Sequence, residues 1–208
     1  EERYLRVVPQ VGYLLGPKLI ELGFQAREEL PLVTLAVPYL DELSALTGDT
    51  IHLAIREDDD VLYLHKNPVR NGPEMRSRVG HRMPLARTGI GKALMLDDSP
   101  KDWQRLYDIS LPAGGKSQFW PQHPQQSWEQ LEQRMTEYVA GGYAFDLEDN
   151  EPSIRCVAAP IRDASKRIVA AISIASTVPY MPLEKMAELI PLIKGVTARL
   201  SAELGLKV

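Results

Sequence analysis

The sequence predicts a mixed α+β domain whose strands are joined largely by hairpins, so that the sheet is mainly antiparallel. Three observations carry that class. Two stretches, 50–66 and 153–176, each read as a pair of apolar, β-branched strands around a short polar turn. Apolar residues recur at steps of three and four in 30–46 and again in 182–204, which is the period of a helix. Glycine, proline and capping residues separate these segments, with no internal repeat and no low-complexity tract.

The opening run "RYLRVVPQVGYLLGPKLIELGF" reads as two short strands around Pro9-Gln10, then a helix with Pro17 in its first turn, where a missing N–H is harmless. Two isolated strands do not stand alone in water, so residues 1–15 are expected to be the remnant of a preceding domain. Leu32, Leu35, Ala36, Leu40, Leu43 and Leu46 line one side of a helix that Gly48 stops and Pro38 should bend or split. "TIHLAIREDDDVLYLHK" is a hairpin turning at Asp58-Asp59-Asp60, and 67–80 is polar loop. A helix begins near Thr88 and runs to Leu96, and another follows the N-cap Ser99 and Pro100. Residues 111–126 show no periodicity. Ser127 and Gln130 form a capping box that opens a helix ended by Gly141-Gly142. The last helix, 182–204, contains Pro191, expected to kink it.

Composition limits the function. An apolar fraction of 44% supports a real core, and 24 basic against 28 acidic residues leave a net charge of −4. That balance is wrong for a free-standing nucleic-acid binder, which carries a basic face. The single cysteine, Cys156, excludes an intramolecular disulfide and fits a reducing compartment. No apolar run reaches the roughly eighteen residues of a membrane span. A soluble, cytoplasmic chain with no membrane partner is the expectation.

Gly89-Ile90-Gly91-Lys92 resembles a phosphate loop, but Ala86 stands where the first glycine belongs and Ala93 where the magnesium-binding hydroxyl belongs. The nucleotide reading fails. In the C-terminal strand pair, Ile154, Cys156 and Ala158 share one face with Ala171, Ser173 and Ala175, whereas Val157, Ile172 and Ile174 point the other way. The bulky face reads as core. The small face is either the seat of a helix or the floor of a ligand cavity, and periodicity does not choose. Catalysis would need Cys156 beside a histidine base. His52, His65, His81 and His123 are scattered without a local signature, and no pair has metal-ligand spacing. Glu148, Asp149 and Glu151 read as a solvated acidic turn, and Lys92 as a solvated or capping cation. No catalytic residue, metal or cofactor is therefore expected. An enzyme using Cys156 and a pure oligomerisation module are the alternatives.

The run "GHRMPLARTGIGKALM" followed by "GGYAFDLEDNEPSIRCVAAPIRDASKRIVAAISIAS" resembles the effector-binding domain of the IclR family of bacterial transcriptional regulators. The ordered set carries the likeness: a Gly-x-Gly-Lys helix start, Gly-Tyr-Ala-x-Asp-x-Glu-Asp, Cys-x-Ala-x-Pro-Ile, and a closing Ala-Ile-Ser strand. It covers roughly residues 16–206. The resemblance implies a GAF-like curved antiparallel sheet flanked by helices and preceded by linker helices at 16–48, with 49–208 as the ligand-sensing domain. It also implies that DNA is contacted by a winged helix-turn-helix domain mostly missing from this chain, and that copies assemble as a homodimer or homotetramer. The implied effector is a small organic acid such as a sugar acid or keto acid, held by Met75, Gly89, Ile90, Asp146, Ile154, Cys156 and Ser173. Ala175 departs from the family, which often has a second serine there. The glycine-rich helix start then reads as a carboxylate cradle, because free amides and the helix dipole favour an anion. A valine at Gly89 is expected to block it while leaving the sheet intact.

Overall fold

The computed structural model describes residues 3–28, 31–70, 72–111 and 126–206. The irregular stretch expected at 111–126, with His123, therefore lies almost wholly outside the described residues. Residues 1–37 and 38–208 form two compact units. In the first, β1 (Leu5–Val8) and β2 (Gly12–Leu15) pair antiparallel about the Pro9-Gln10 turn, and α1 (Pro17–Glu28) follows. Val7, Tyr13 and Leu15 are each more than two-thirds exposed, as a two-stranded ribbon without a covering layer must leave them. The helix α2 (Pro31–Thr47) runs unbroken through Pro38, so the expected split does not occur. One proline removes a single intrahelical bond, which a packed helix tolerates.

In the second unit a six-stranded antiparallel sheet, curled into a half-barrel, has the order β5-β4-β3-β8-β7-β6. Its strands are β3 (Thr50–Glu57), β4 (Asp60–Asn67), β5 (Arg82–Pro84), β6 (Ala144–Leu147), β7 (Ile154–Arg162) and β8 (Ile168–Thr177). The two hairpins read from the sequence are β3/β4 and β7/β8, and they join through β3 against β8. Asp58 takes the left-handed conformation, φ 57°, that the β3/β4 turn requires. The edge strands β5 and β6 leave no mark in the sequence pattern. Three and four residues are too short to show alternation, and "AFDL" lies within a segment that reads as a turn.

Both faces of β7 and β8 are covered. On one, Val157, Ala159, Ile161, Ile172 and Ile174 are wholly buried, and α6 (Leu183–Glu203) lies across them with Met186, Ile193, Val196 and Leu200. The bulky face is thus core, as its composition predicts. α6 continues through Pro191 without interruption. The other face, with Ala144, Ala158, Ala171, Ala54 and Tyr63, packs under α3 (Gly89–Leu94), α4 (Pro100–Ser110) and α5 (Trp128–Gly141). α4 and α5 start on their expected caps, and Thr88, near which a helix is expected to begin, caps α3. Thr88 Oγ1 accepts the Gly91 amide, Ser99 Oγ accepts that of Asp102, and Ser127 and Gln130 exchange the two bonds of a capping box. Gly142 ends α5 at φ 68°, where a side chain would be strained.

Candidate functional site

Directly paired residues of an antiparallel sheet point to the same face. The register therefore sets Asp146, Cys156, Ala175 and Thr50 in one row across β6, β7, β8 and β3. The next row holds Ala144, Ala158, Ser173, His52 and Lys66. This is the face beneath α3. Of the seven residues the sequence singles out, Asp146, Cys156 and Ser173 lie on it, and Ile154 follows two places before Cys156, half-buried at the start of β7. Gly89 and Ile90 open α3 above it, both buried. Met75 is set apart: it is half-buried on the loop before β5, and its carbonyl accepts a hydrogen bond from Lys66 Nζ at 2.7 Å.

Gly89 meets the sheet so closely that a Cβ built on it would stand 2.5 Å from Cys156 Sγ and 2.8 Å from the Asp146 amide. Only glycine fits there, so the glycine is a packing requirement as well as a route for a ligand. A valine would push on the backbone of β6, which overturns the expectation that it would leave the sheet intact. The helix-start amides are also partly spent, since Gly91 donates to Thr88 Oγ1 at 3.0 Å and Lys92 to the Thr88 carbonyl at 2.9 Å. Cys156 is buried, and its thiol is pushed up to about 12, first by desolvation and then by the Asp146 charge. It is a protonated thiol at neutral pH, which opposes a nucleophilic role.

Asp146 bonds its own turn: its Oδ1 accepts the Asp149 amide at 2.8 Å. Burial raises its pKa, while the Lys92 ammonium partly offsets that. Lys92 is fully buried, not solvated as its helix position suggests. Its Nζ donates to Asp149 Oδ2 at 2.5 Å and to the Phe145 carbonyl at 3.2 Å. Asp149 in turn holds Arg134 of α5 at 3.1 Å and the Leu147 amide at 3.3 Å, and Arg87 donates to its carbonyl at 3.0 Å. The acidic turn is therefore not simply a solvated cluster. Glu148 and Glu151 are half-buried at its rim, while Asp149 is the anion that lets a lysine sit inside the core.

His52 is the polar residue that local sequence pattern does not single out. Its ring lies 5.0 Å from that of Tyr63, its Nδ1 is 3.4 Å from Ser173 Oγ, and its Nε2 is 2.7 Å from Ser77 Oγ. Lys66 Nζ donates to the carbonyls of Met75 and Ser77, tying that loop down beside it. Burial, and secondarily the Lys66 charge, lowers the His52 pKa from 6.5 to about 3. The unfolded chain therefore takes up a proton below pH 6.5 that the folded chain refuses until pH approaches 3. Stability from this group is complete above that window and is lost as pH falls through it. Urea unfolding at pH 6.5 and pH 5 should show His52→Gln losing about 2 kcal/mol less than the parent over that interval. Equal pH slopes in the two proteins would refute a neutral, buried His52.

A surface cavity of about 260 Å³ lies elsewhere, between Arg56, Leu94, Asp97, Asp98, Arg167 and Ile168. Its charges are already matched, Arg56 with Asp98 and Asp97 with Arg162, each at 2.6 Å, and it does not touch the Asp146 face. Among the described residues no group of three or more His, Cys, Asp or Glu side chains is placed to hold a metal ion, and no helix is long and apolar enough to cross a membrane.

A curled antiparallel sheet with small and polar groups gathered beneath a short glycine-rich helix is the architecture of an effector-binding domain of a bacterial transcriptional regulator. The chain belongs to the IclR family: residues 24–202 match the family described as bacterial transcriptional regulator IclR, C-terminal. It is 28% identical to the HTH-type transcriptional regulator KdgR of Escherichia coli, over 98% of this chain and 79% of that protein. It is also 28% identical to the DNA-binding transcriptional repressor YiaJ of the same organism, over 99% of this chain and 72% of that one. The crystal structure of Thermotoga maritima IclR aligns with a TM-score of 0.80 at 26% identity, covering 97% of this chain and 80% of the other.

Proposed function

We propose that this chain is the sensing part of a cytoplasmic repressor of catabolic genes, and that its effector is a small organic acid, a sugar acid or a keto acid, bound against the Asp146 face beside the start of α3. Gly89, Ile90, Asp146, Ile154, Cys156 and Ser173 are its contacts, with Met75 on the adjoining loop. In this reading DNA is met by a winged helix-turn-helix domain on the N-terminal side of the sensing part, and the regulator acts as a homodimer or homotetramer. The observation that carries the reading is the row register: it brings Asp146, Cys156 and Ser173, distant in sequence, onto one buried face beneath the Gly89 helix start. Burial of that face in a low-dielectric setting strengthens each directed bond to a ligand. The names of the relatives, a transcriptional regulator and a DNA-binding repressor, agree with it.

Calorimetric titration with pyruvate, D-gluconate and benzoate tests the proposal. Pyruvate or D-gluconate should bind stoichiometrically and be recovered unchanged, with benzoate the weakest, and Ser173→Ala should weaken the bound acid by about two- to tenfold, the worth of one hydrogen bond. Silence across all three, or turnover of any, would defeat the reading.

A further inference from the structure

Thr50 is fully buried, and among the described residues its Oγ1 has no hydrogen-bond partner. A hydroxyl taken from water and left unsatisfied is costly, so native chains rarely keep one without a use. The other buried polar side chains short of a bond have different circumstances. The Asp49 carboxylate faces Lys185 at 2.7 Å, and the Arg155 guanidinium is engaged through its other nitrogens by Glu148 and the Met181 carbonyl. Gln126 lines a separate crevice with Tyr107 and Leu111. Thr50 alone of the four stands on the face already described, at the end of the row that begins with Asp146 and passes through Cys156 and Ala175. It is one strand from Ala175 and diagonal to Ser173.

We propose that the Thr50 hydroxyl is a further effector contact, marking the far end of the site from Asp146 and selecting for an acid long enough to reach it. This rests on the proposed effector site. Asp146 and Thr50 are three strand spacings apart, about 14 Å along a flat sheet and less along a curled one. A six-carbon chain is about 6 Å long, and a terminal oxygen with its hydrogen bond adds about 4 Å at each end. Such a ligand spans the row. A three-carbon acid falls about 4 Å short by the same reckoning and engages one end only. Thr50 therefore discriminates by length and by the presence of a terminal hydroxyl.

The test compares D-gluconate and pyruvate by calorimetry on the parent chain, Ser173→Ala, Thr50→Val and Thr50→Val with Ala175→Ser. Valine keeps the shape and removes the hydroxyl. The parent should bind D-gluconate more tightly than pyruvate. Thr50→Val should weaken D-gluconate about tenfold and leave pyruvate unchanged, and the added Ala175→Ser, which returns a hydroxyl one strand away, should recover most of the loss. D-gluconate binding that weakens with Ser173→Ala but not with Thr50→Val overturns this inference and leaves the effector site standing. Preference for pyruvate overturns the length selection. Absence of binding by either acid removes the effector reading along with it. Thermal unfolding without ligand gives an independent answer, because loss of an unpartnered hydroxyl should raise the Tm. A lowered Tm in Thr50→Val would mean that the hydroxyl is bonded within the fold and is not kept for a ligand.

Discussion

Replacing Asp149 by alanine is expected to remove about 3–5 kcal/mol of folding stability, the cost of leaving a buried charge unpaired. Lys92 is fully buried, and without Asp149 its ammonium keeps, among the described residues, the Phe145 carbonyl as its one hydrogen-bond acceptor. The carboxylate itself resists burial, which raises its pKa, but Lys92 and Arg134 outweigh that and hold it below the ordinary carboxylate range. The stabilisation is therefore present near neutrality and lost as pH falls through the range where the carboxylate protonates. Against a total of about 5–15 kcal/mol for an ordinary domain, one substitution takes a large share. Lys92→Met combined with Asp149→Leu should recover most of it, since an apolar pair of similar volume replaces a buried ion pair at little net cost. Urea denaturation of the single and double variants decides the matter. A loss below about 1 kcal/mol in Asp149→Ala would mean that Lys92 finds water or another acceptor.

Gly89→Ala is expected to cost about 1–3 kcal/mol through overpacking, and Gly89→Val more. The added carbon would meet a sulfur, which can turn aside, and the backbone nitrogen of Asp146, which cannot move without moving β6. Adding Cys156→Ala should therefore recover part of the loss but not all of it. Complete recovery would show the sulfur to be the whole obstacle, and no loss in the single variant would show that α3 stands off the sheet. Any binding experiment on a Gly89 variant has to be read against its stability, because this residue holds the helix against the strands.

The helices and both hairpins are legible in the sequence because their signals are local. Ser99, Ser127 and Gln130 cap helices from three residues away, and the apolar periods of α2 and α6 are long enough to be unambiguous. Asp146, Cys156 and Ser173 belong to an ordered motif and fall on one face. What escapes a sequence reading depends on pairing at a distance. Lys92 occupies a helix position where lysine is ordinarily solvated, and its partner lies 57 residues further on. His52 gains its meaning from Ser173, 121 residues away, through a register that no local pattern shows. Thr50 reads as an ordinary strand start until Ala175 and Cys156 stand beside it. The charge of Asp149 is visible in the sequence, but the burial that makes it matter is not.

The junction of β3 with β8 ties residues 50–54 to 171–175. During synthesis the early hairpin leaves the ribosome long before the strand that will flank it, and for that interval one of its edges is open to any extended chain nearby. Closing so long a loop is also entropically slow. Refolding of this unit should accordingly be gated by the arrival of β8, and a nascent chain stalled before it is the species a chaperone would have to shield.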